Sequence, residues 1–250
     1  MIGDLPPKIW MPPKPAIIRP APIQKANFLP GWGMMMPAVA APPVLTGAHV
    51  VSGDDLATLS IGAEPSGDER RFIAVVGTVI GSNPTLGGSP TIGGAGATQV
   101  TFTEAGNEAS NIFWLEVPSG TTAAIDMDIA TGGGAGLDRV HIYRLIVSNG
   151  GGLAVTDFDD DDDLVSTLSF SIDIAAGGFV VGGAIGTNCG SWTWTGLDED
   201  DDTDLLSNEN STAASRAYAS AETGQAITAV CVLNSTDING VVASFAPIAA

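Results

Sequence analysis

An all-β body behind an extended N-terminal arm is the fold class that the sequence predicts, and three observations predict it. Eleven of the sixteen prolines fall between Pro6 and Pro43. Beyond them, short β-type runs alternate with glycine-rich turns, Gly supplying 32 of 250 residues against an ordinary share of roughly 7%. Finally, Leu164–Ile174 alternates apolar and polar residues throughout, which is the period of a half-buried antiparallel strand.

The arm comes first, residues 1–43. Proline fixes φ, lacks an N–H, and pushes the preceding residue toward extended backbone, so the segment cannot be helix or inner strand. A polyproline-like path is expected. The arm holds all three lysines (Lys8, Lys14, Lys25) and Arg19 against a single acid, Asp4, for a charge of about +3; the remainder carries 27 acids against 5 bases, or -22. It is also apolar, with Ile9, Trp10, Ile17, Ile18, Phe28, Trp32 and Met34 to Met36. Solvated linkers lack such residues. Lys8, Ile9, Trp10, Lys14, Ile17, Ile18, Arg19, Phe28 and Trp32 are therefore read as a docking surface for a partner.

The body, residues 44–250, reads as one two-sheet antiparallel sandwich, a jelly roll being the first choice. Strands are expected over Ala48–Ser52, Leu56–Ile61, Arg71–Ile80, Gln99–Thr103, Asn111–Val117, Thr122–Ile129 and Arg139–Ser148. Further ones are expected over Leu164–Ile174, Phe179–Ile185, Ser191–Thr195, Arg216–Ser220, Gln225–Leu233 and Val241–Phe245. The best helix candidate, Asn208–Ala219, is short and rich in Ser and Thr. No internal sequence repeat stands out, and the Gly/Pro/Ser-rich stretch 81–97 is the best internal boundary.

Composition narrows the function. Hydrophobic residues make up 44%, enough for a core, and charged residues only 15%. A net charge of -19 argues against nucleic-acid binding, which needs clustered Lys and Arg. No apolar run is long enough to cross a membrane as a helix. The start of the chain, with Pro6 and Pro7 and no apolar segment, does not read as a secretory signal.

Candidate chemistry is sparse. The two histidines, His49 and His141, sit in no nucleophile or metalloprotease motif, although a triad assembled in space is invisible to sequence. No enzymatic activity and no cofactor are expected. Asp157 with Asp159 to Asp163, and Asp198 to Asp202 with Asp204, do not match a calcium loop and read as solvated acidic loops; no metal site is assigned. Trp192 and Trp194, at i and i+2, share one strand face. They fill the core or, if exposed, form a platform for host glycan. Cys189 and Cys231, with no secretory signal, read as reduced, partly buried thiols.

The segment Pro6-Pro-Lys-Ile-Trp-Met-Pro-Pro-Lys-Pro-Ala-Ile-Ile-Arg-Pro-Ala resembles the N-terminus of virion proteins from tailed bacteriophages, largely phages of alphaproteobacteria. The Gly/Ala/Thr-rich body is similar in style to phage decoration and appendage domains. The resemblance implies a structural protein of the virion, assembled in the host cytoplasm and anchored to the major capsid protein or another particle component. Capsid decoration is the first expectation, and a tail, neck or fibre component with a glycan-binding sandwich is the alternative. The amount of apolar surface on the arm further implies a homo-oligomer, with a trimer favoured.

Overall fold

The computed structural model describes residues 41–132, 136–163, 166–206, 209–232 and 237–249. The nine arm residues named as a docking surface lie outside them. Every regular element among the described residues is a strand. The first series is β1 (Leu45–Gly53), β2 (Thr58–Ser60), β3 (Arg70–Ile80), β4 (Thr85–Leu86), β5 (Thr91–Ile92), β6 (Ala95–Gly96), β7 (Thr98–Ala105), β8 (Glu108–Glu116), β9 (Thr122–Asp126), β10 (Ile129–Ala130) and β11 (Leu137–Val147). The second is β12 (Gly152–Asp163), β13 (Thr167–Ile174), β14 (Gly178–Thr187), β15 (Trp192–Thr195), β16 (Asp198–Leu206), β17 (Glu209–Tyr218), β18 (Glu222–Cys231) and β19 (Asp237–Ile248).

Each series builds the same antiparallel sandwich. In the first, an inner sheet ordered β1-β11-β3-β8-β7 faces an outer sheet β2-β9-β5-β6, with β4 and β10 as a small side ribbon. In the second, β12-β19-β14-β17-β16 faces β13-β18-β15. Reading β1 as β12, β3 as β14, β7 as β16, β8 as β17 and β11 as β19 turns one inner sheet into the other. Register follows: Phe72 pairs Leu145 as Phe179 pairs Phe245, and Ile80 pairs Glu108 as Thr187 pairs Glu209. The all-β antiparallel sandwich expected from the sequence is thus laid out as two jelly rolls in tandem, joined at Ser148–Gly151. Residues 81–97 mark no division; they carry β4, β5 and β6 inside the first roll.

The two inner sheets stack face to face, with β14 over β3, β19 over β8 and β12 over β7. Four layers of sheet thus enclose three cores. Ile73, Val75, Phe113, Ile125 and Ile142 fill the first roll. Phe72, Val76, Tyr143, Phe179, Val181, Val241 and Phe245 fill the space between the rolls. Leu168, Phe170, Ile172, Trp192, Trp194 and Ile227 fill the second. Inner strands are covered on both faces, so β3 and β14 read as unbroken apolar runs, whereas β13, covered on one face, alternates. Stacking also demands close approach. A Cβ on Gly183 would lie 2.4 Å from Val76 Cγ1, so β14 crosses β3 only where that side chain is missing.

The layering resolves the best helix candidate as strand and corrects two expectations. Asn208–Ala219 is largely strand β17, not helix; its Ser, Thr and Ala are small because both of its faces are covered. The two aspartate runs are not loops but strands β12 and β16, the two edges of the second inner sheet. Cys189 and Cys231 form a disulfide, with Cα atoms 5.5 Å apart, tying the segment before β15 to the end of β18. A bridge across 42 residues is worth about 4 kcal/mol in the chain-entropy account.

Candidate functional site

The densest polar assembly lies between the rolls, where β11 of the first meets β16 and β17 of the second. His141, on β11, has no exposed surface. Its Nδ1 lies 2.8 Å from Ser52 Oγ on β1 and 3.5 Å from Asp201 Oδ2 on β16. Its Nε2 lies 3.0 Å from Ser211 Oγ on β17, which in turn is 2.8 Å from Thr78 Oγ1 on β3. His49 joins at the rim through Nε2, 3.1 Å from Ser52 Oγ. Two residues further along β11, the Tyr143 hydroxyl donates to Asp200 Oδ2 at 3.1 Å. Two residues back, Arg139 lies 3.8 Å from both Asp54 and Asp201.

Alternation places these groups. Residues 139, 141 and 143 share the face of β11 that looks toward the second roll, while Val140 and Ile142 fill the first roll's core. A hydroxyl at Nε2 and a carboxylate at Nδ1 is the arrangement of a nucleophile, base and orienting acid. Ser211 and His141 are both 0% exposed, however, so no substrate carbonyl reaches Ser211 Oγ. Burial pushes the imidazole down to about 3, against which the Asp201 carboxylate raises it, while His49 and Arg139 lower it further. Burial likewise pushes the Tyr143 phenol well up, so it stays a donor. The seam is a hydrogen-bonded lock between two sheets, with a neutral imidazole at its centre.

That charge state has a measurable consequence. An unfolded His141 takes up a proton near pH 6.5, whereas the folded one stays neutral to about 3. Its contribution is therefore complete above pH 6.5 and is lost as pH falls through that window, by up to about 1.4 kcal/mol per pH unit. His141→Gln, which cannot titrate, should be less stable than wild type at pH 7, with the gap narrowing as pH drops from 6.5 toward 4. Parallel urea curves for the two chains over that range would exclude this account.

A second seam, on the other flank of the interface, was not foreseen. Glu108, at the start of β8, is fully buried; it accepts from the Thr187 hydroxyl on β14 and from its neighbour's amide, Asn107 N–H, at 3.2 Å. Burial raises its carboxyl above the usual range, and Asp237 and Glu209 add to the rise. Nothing in its sequence setting marks Glu108 as buried, because it follows a turn and precedes a mixed run.

The tryptophans are settled by burial. Trp192 and Trp194 are 3% and 8% exposed. Trp194 stacks on Phe170 with ring centroids 6.4 Å apart, and the indoles donate to Asn210 O at 3.3 Å and to Thr212 Oγ1 at 3.0 Å. Neither face is open to a sugar ring, and the glycan platform is withdrawn.

The first aspartate run closes the second roll. Asp157, Asp159 and Asp161 on β12 each offer an oxygen to a backbone N–H of β13: Asp173 at 2.7 Å, Ser171 at 2.8 Å and Ser169 at 2.7 Å. The other oxygens of Asp157 and Asp159 take the next N–H of their own strand, Phe158 and Asp160, both at 3.0 Å. Three carboxylates thus stand where one more strand would otherwise join two sheet edges. On the opposite edge, β16 spends Asp198 on Arg216, Asp200 on Tyr143, and Asp202 on the Trp192 amide.

No protein-family model, curated protein or solved structure matches this chain. The reading of its role rests on the residues themselves.

Proposed function

We propose that the protein is a structural component of a tailed-bacteriophage particle, held on the exterior of the capsid by its N-terminal arm while the tandem jelly rolls project outward. The observation that carries this reading is the division of charge and edges. Acids line both edges of the second inner sheet, and the parts of the chain carry +3 and -22. Charged edge strands resist edge-to-edge pairing, and a strongly negative body discourages non-specific contact. Attachment is thereby left to the basic, apolar arm. Jelly rolls serve as shell domains elsewhere, and the likeness of residues 6–21 to phage virion proteins points the same way. With Trp192 and Trp194 buried, no observation favours the glycan-binding alternative.

The test is reconstitution. Particles lacking the protein are mixed with the full chain or with a chain lacking residues 2–40, and sedimented. The full chain should co-sediment and the truncated chain should stay in the supernatant with an unchanged β-type circular dichroism spectrum. Co-sedimentation of the folded truncation would refute docking through the arm, and the copy number on the particle separates a shell position from a neck or fibre position.

A further inference from the structure

We infer that residues 27–36 of one copy occupy a trough on the body of a second copy. The trough runs along the junction of the two rolls, where edge strand β7 lies beside edge strand β12. It consists of two hollows, of about 340 and 300 Å³, that share Thr98 and Trp114. Leu153 and Ile248 line the first, and Val100, Val155 and Phe158 the second. Phe158 and Ile248, one in each hollow, are both 48% exposed. Two polar atoms there are buried without a hydrogen-bond partner: Trp114 Nε1, a donor, and Gln99 Oε1, an acceptor. Such groups are costly to leave unpaired. The trough therefore offers mainly apolar walls to an extended chain, with the Arg70–Glu116 ion pair also lining the first hollow.

The chain supplies a segment of that chemistry. Residues 26–43, Ala-Asn-Phe-Leu-Pro-Gly-Trp-Gly-Met-Met-Met-Pro-Ala-Val-Ala-Ala-Pro-Pro, carry no charge, whereas all four arm cations lie at or before Lys25. The arm thus divides into a basic part, left for the particle, and an apolar part next to the body. Phe28, Trp32 and the three methionines match apolar walls, methionine being the side chain that best fills an irregular gap. Gly31 and Gly33 flank Trp32 and let backbone amides and carbonyls approach closely. The described body begins at residue 41, so four intervening residues at about 3.1 Å each separate the segment from it. Three of the seven residues from Pro37 to Pro43 are proline, a composition that favours extended backbone and so lengthens reach. An arm-to-trough contact is head-to-tail, so it closes a ring where its rotation is a whole fraction of a turn and an open filament otherwise; a three-fold rotation gives the trimer expected from the sequence.

This inference concerns contacts between copies and stands whether or not the particle role holds. The experiment uses full-length chains and mass photometry with sedimentation equilibrium. One variant breaks the arm (Trp32→Asp with Met35→Asp) and another the trough (Phe158→Ser with Ile248→Ser, both exposed positions). Wild type should be oligomeric at micromolar concentration, and each variant should associate at least 10-fold more weakly while keeping its circular dichroism spectrum and urea midpoint. Mixing the two variants should recover 1:1 pairs, because one supplies an intact arm and the other an intact trough. A monomeric wild type, a trough variant that oligomerises like wild type, or a mixture that stays monomeric would each overturn the proposal.

Discussion

Replacing Arg71 with alanine should remove about 3–5 kcal/mol of stability, the range for breaking a fully buried charged network. Arg71, at the start of β3, has no exposed surface, yet it meets no carboxylate among its hydrogen bonds. Its guanidinium donates instead to five carbonyls: Val117 at 2.8 Å, Gly62 at 3.1 Å, Ala63 at 3.0 Å, Ser119 at 3.0 Å and Gly120 at 2.7 Å. Arginine owns five N–H donors in a planar fork, and every one is used. These carbonyls belong to the two segments that close one end of the first roll, which have no sheet partners of their own there. Burial lowers the guanidinium's pKa, with the Glu64 charge opposing, but the group remains charged at any pH at which the protein folds. Hydrogen bonds to charged groups are worth about 1.5–3 kcal/mol each, and loops freed at a surface regain water, so the net loss falls below the sum. Arg71→Lys should recover little, since an ammonium has three donors and no fork. Urea denaturation checks the size of the effect, and amide exchange of residues 62–63 and 117–120 checks its location. A loss under 1 kcal/mol would mean that water replaces the guanidinium freely.

How much of this was legible in the sequence depends on what covers each strand. β13 was plain because one face is core and the other solvent, and Leu168, Phe170, Ile172 and Ile174 are all buried. β3 and β14 were recognisable as apolar runs, but the reason for those runs, a second sandwich stacked on the first, was not. The tandem repeat survives in topology and register while side chains diverge: Glu108 and Glu209 occupy equivalent positions after Asn107 and Asn208, yet Val76 and Gly183 also do. Aspartate is depleted in strands, so β12 and β16 looked like loops. Only the partner beyond the edge, β13 in one case and β11 in the other, explains carboxylates there. Of the polar seam, only the alternation of His141 with Val140 and Ile142 is legible locally; that Ser52, Asp201 and Ser211 converge on it depends on pairings across as many as 89 residues.

Removing the carboxylate ladder, Asp157, Asp159 and Asp161 to alanine together, should cost about 3 kcal/mol and promote aggregation through the edge it guards. Three charge-assisted bonds to β13 would be lost, each stronger than a neutral one. Two effects reduce that loss. Ser169, Ser171 and Asp173 are exposed, so their amides regain water, and three fewer charges relieve repulsion on a body of -22. About 1 kcal/mol per position remains. The consequence for solubility is larger than for stability, because β13 is the end strand of its sheet and its outward amides would face other molecules unguarded. Asp161 separates charge from hydrogen bonding. Burial raises its carboxyl above the usual range despite the Ser169 amide, so its contribution is full in acid and is lost as pH rises through that raised pKa. Asp161→Asn keeps an acceptor oxygen without that burial cost. It should match or exceed wild type in urea midpoint at pH 7 and fall to parity in acid, whereas Asp161→Ala should be weaker at both. If the triple alanine chain stays monodisperse through a day at 37 °C in light scattering, the ladder is not what guards this edge, and the acids of β12 act by net charge alone.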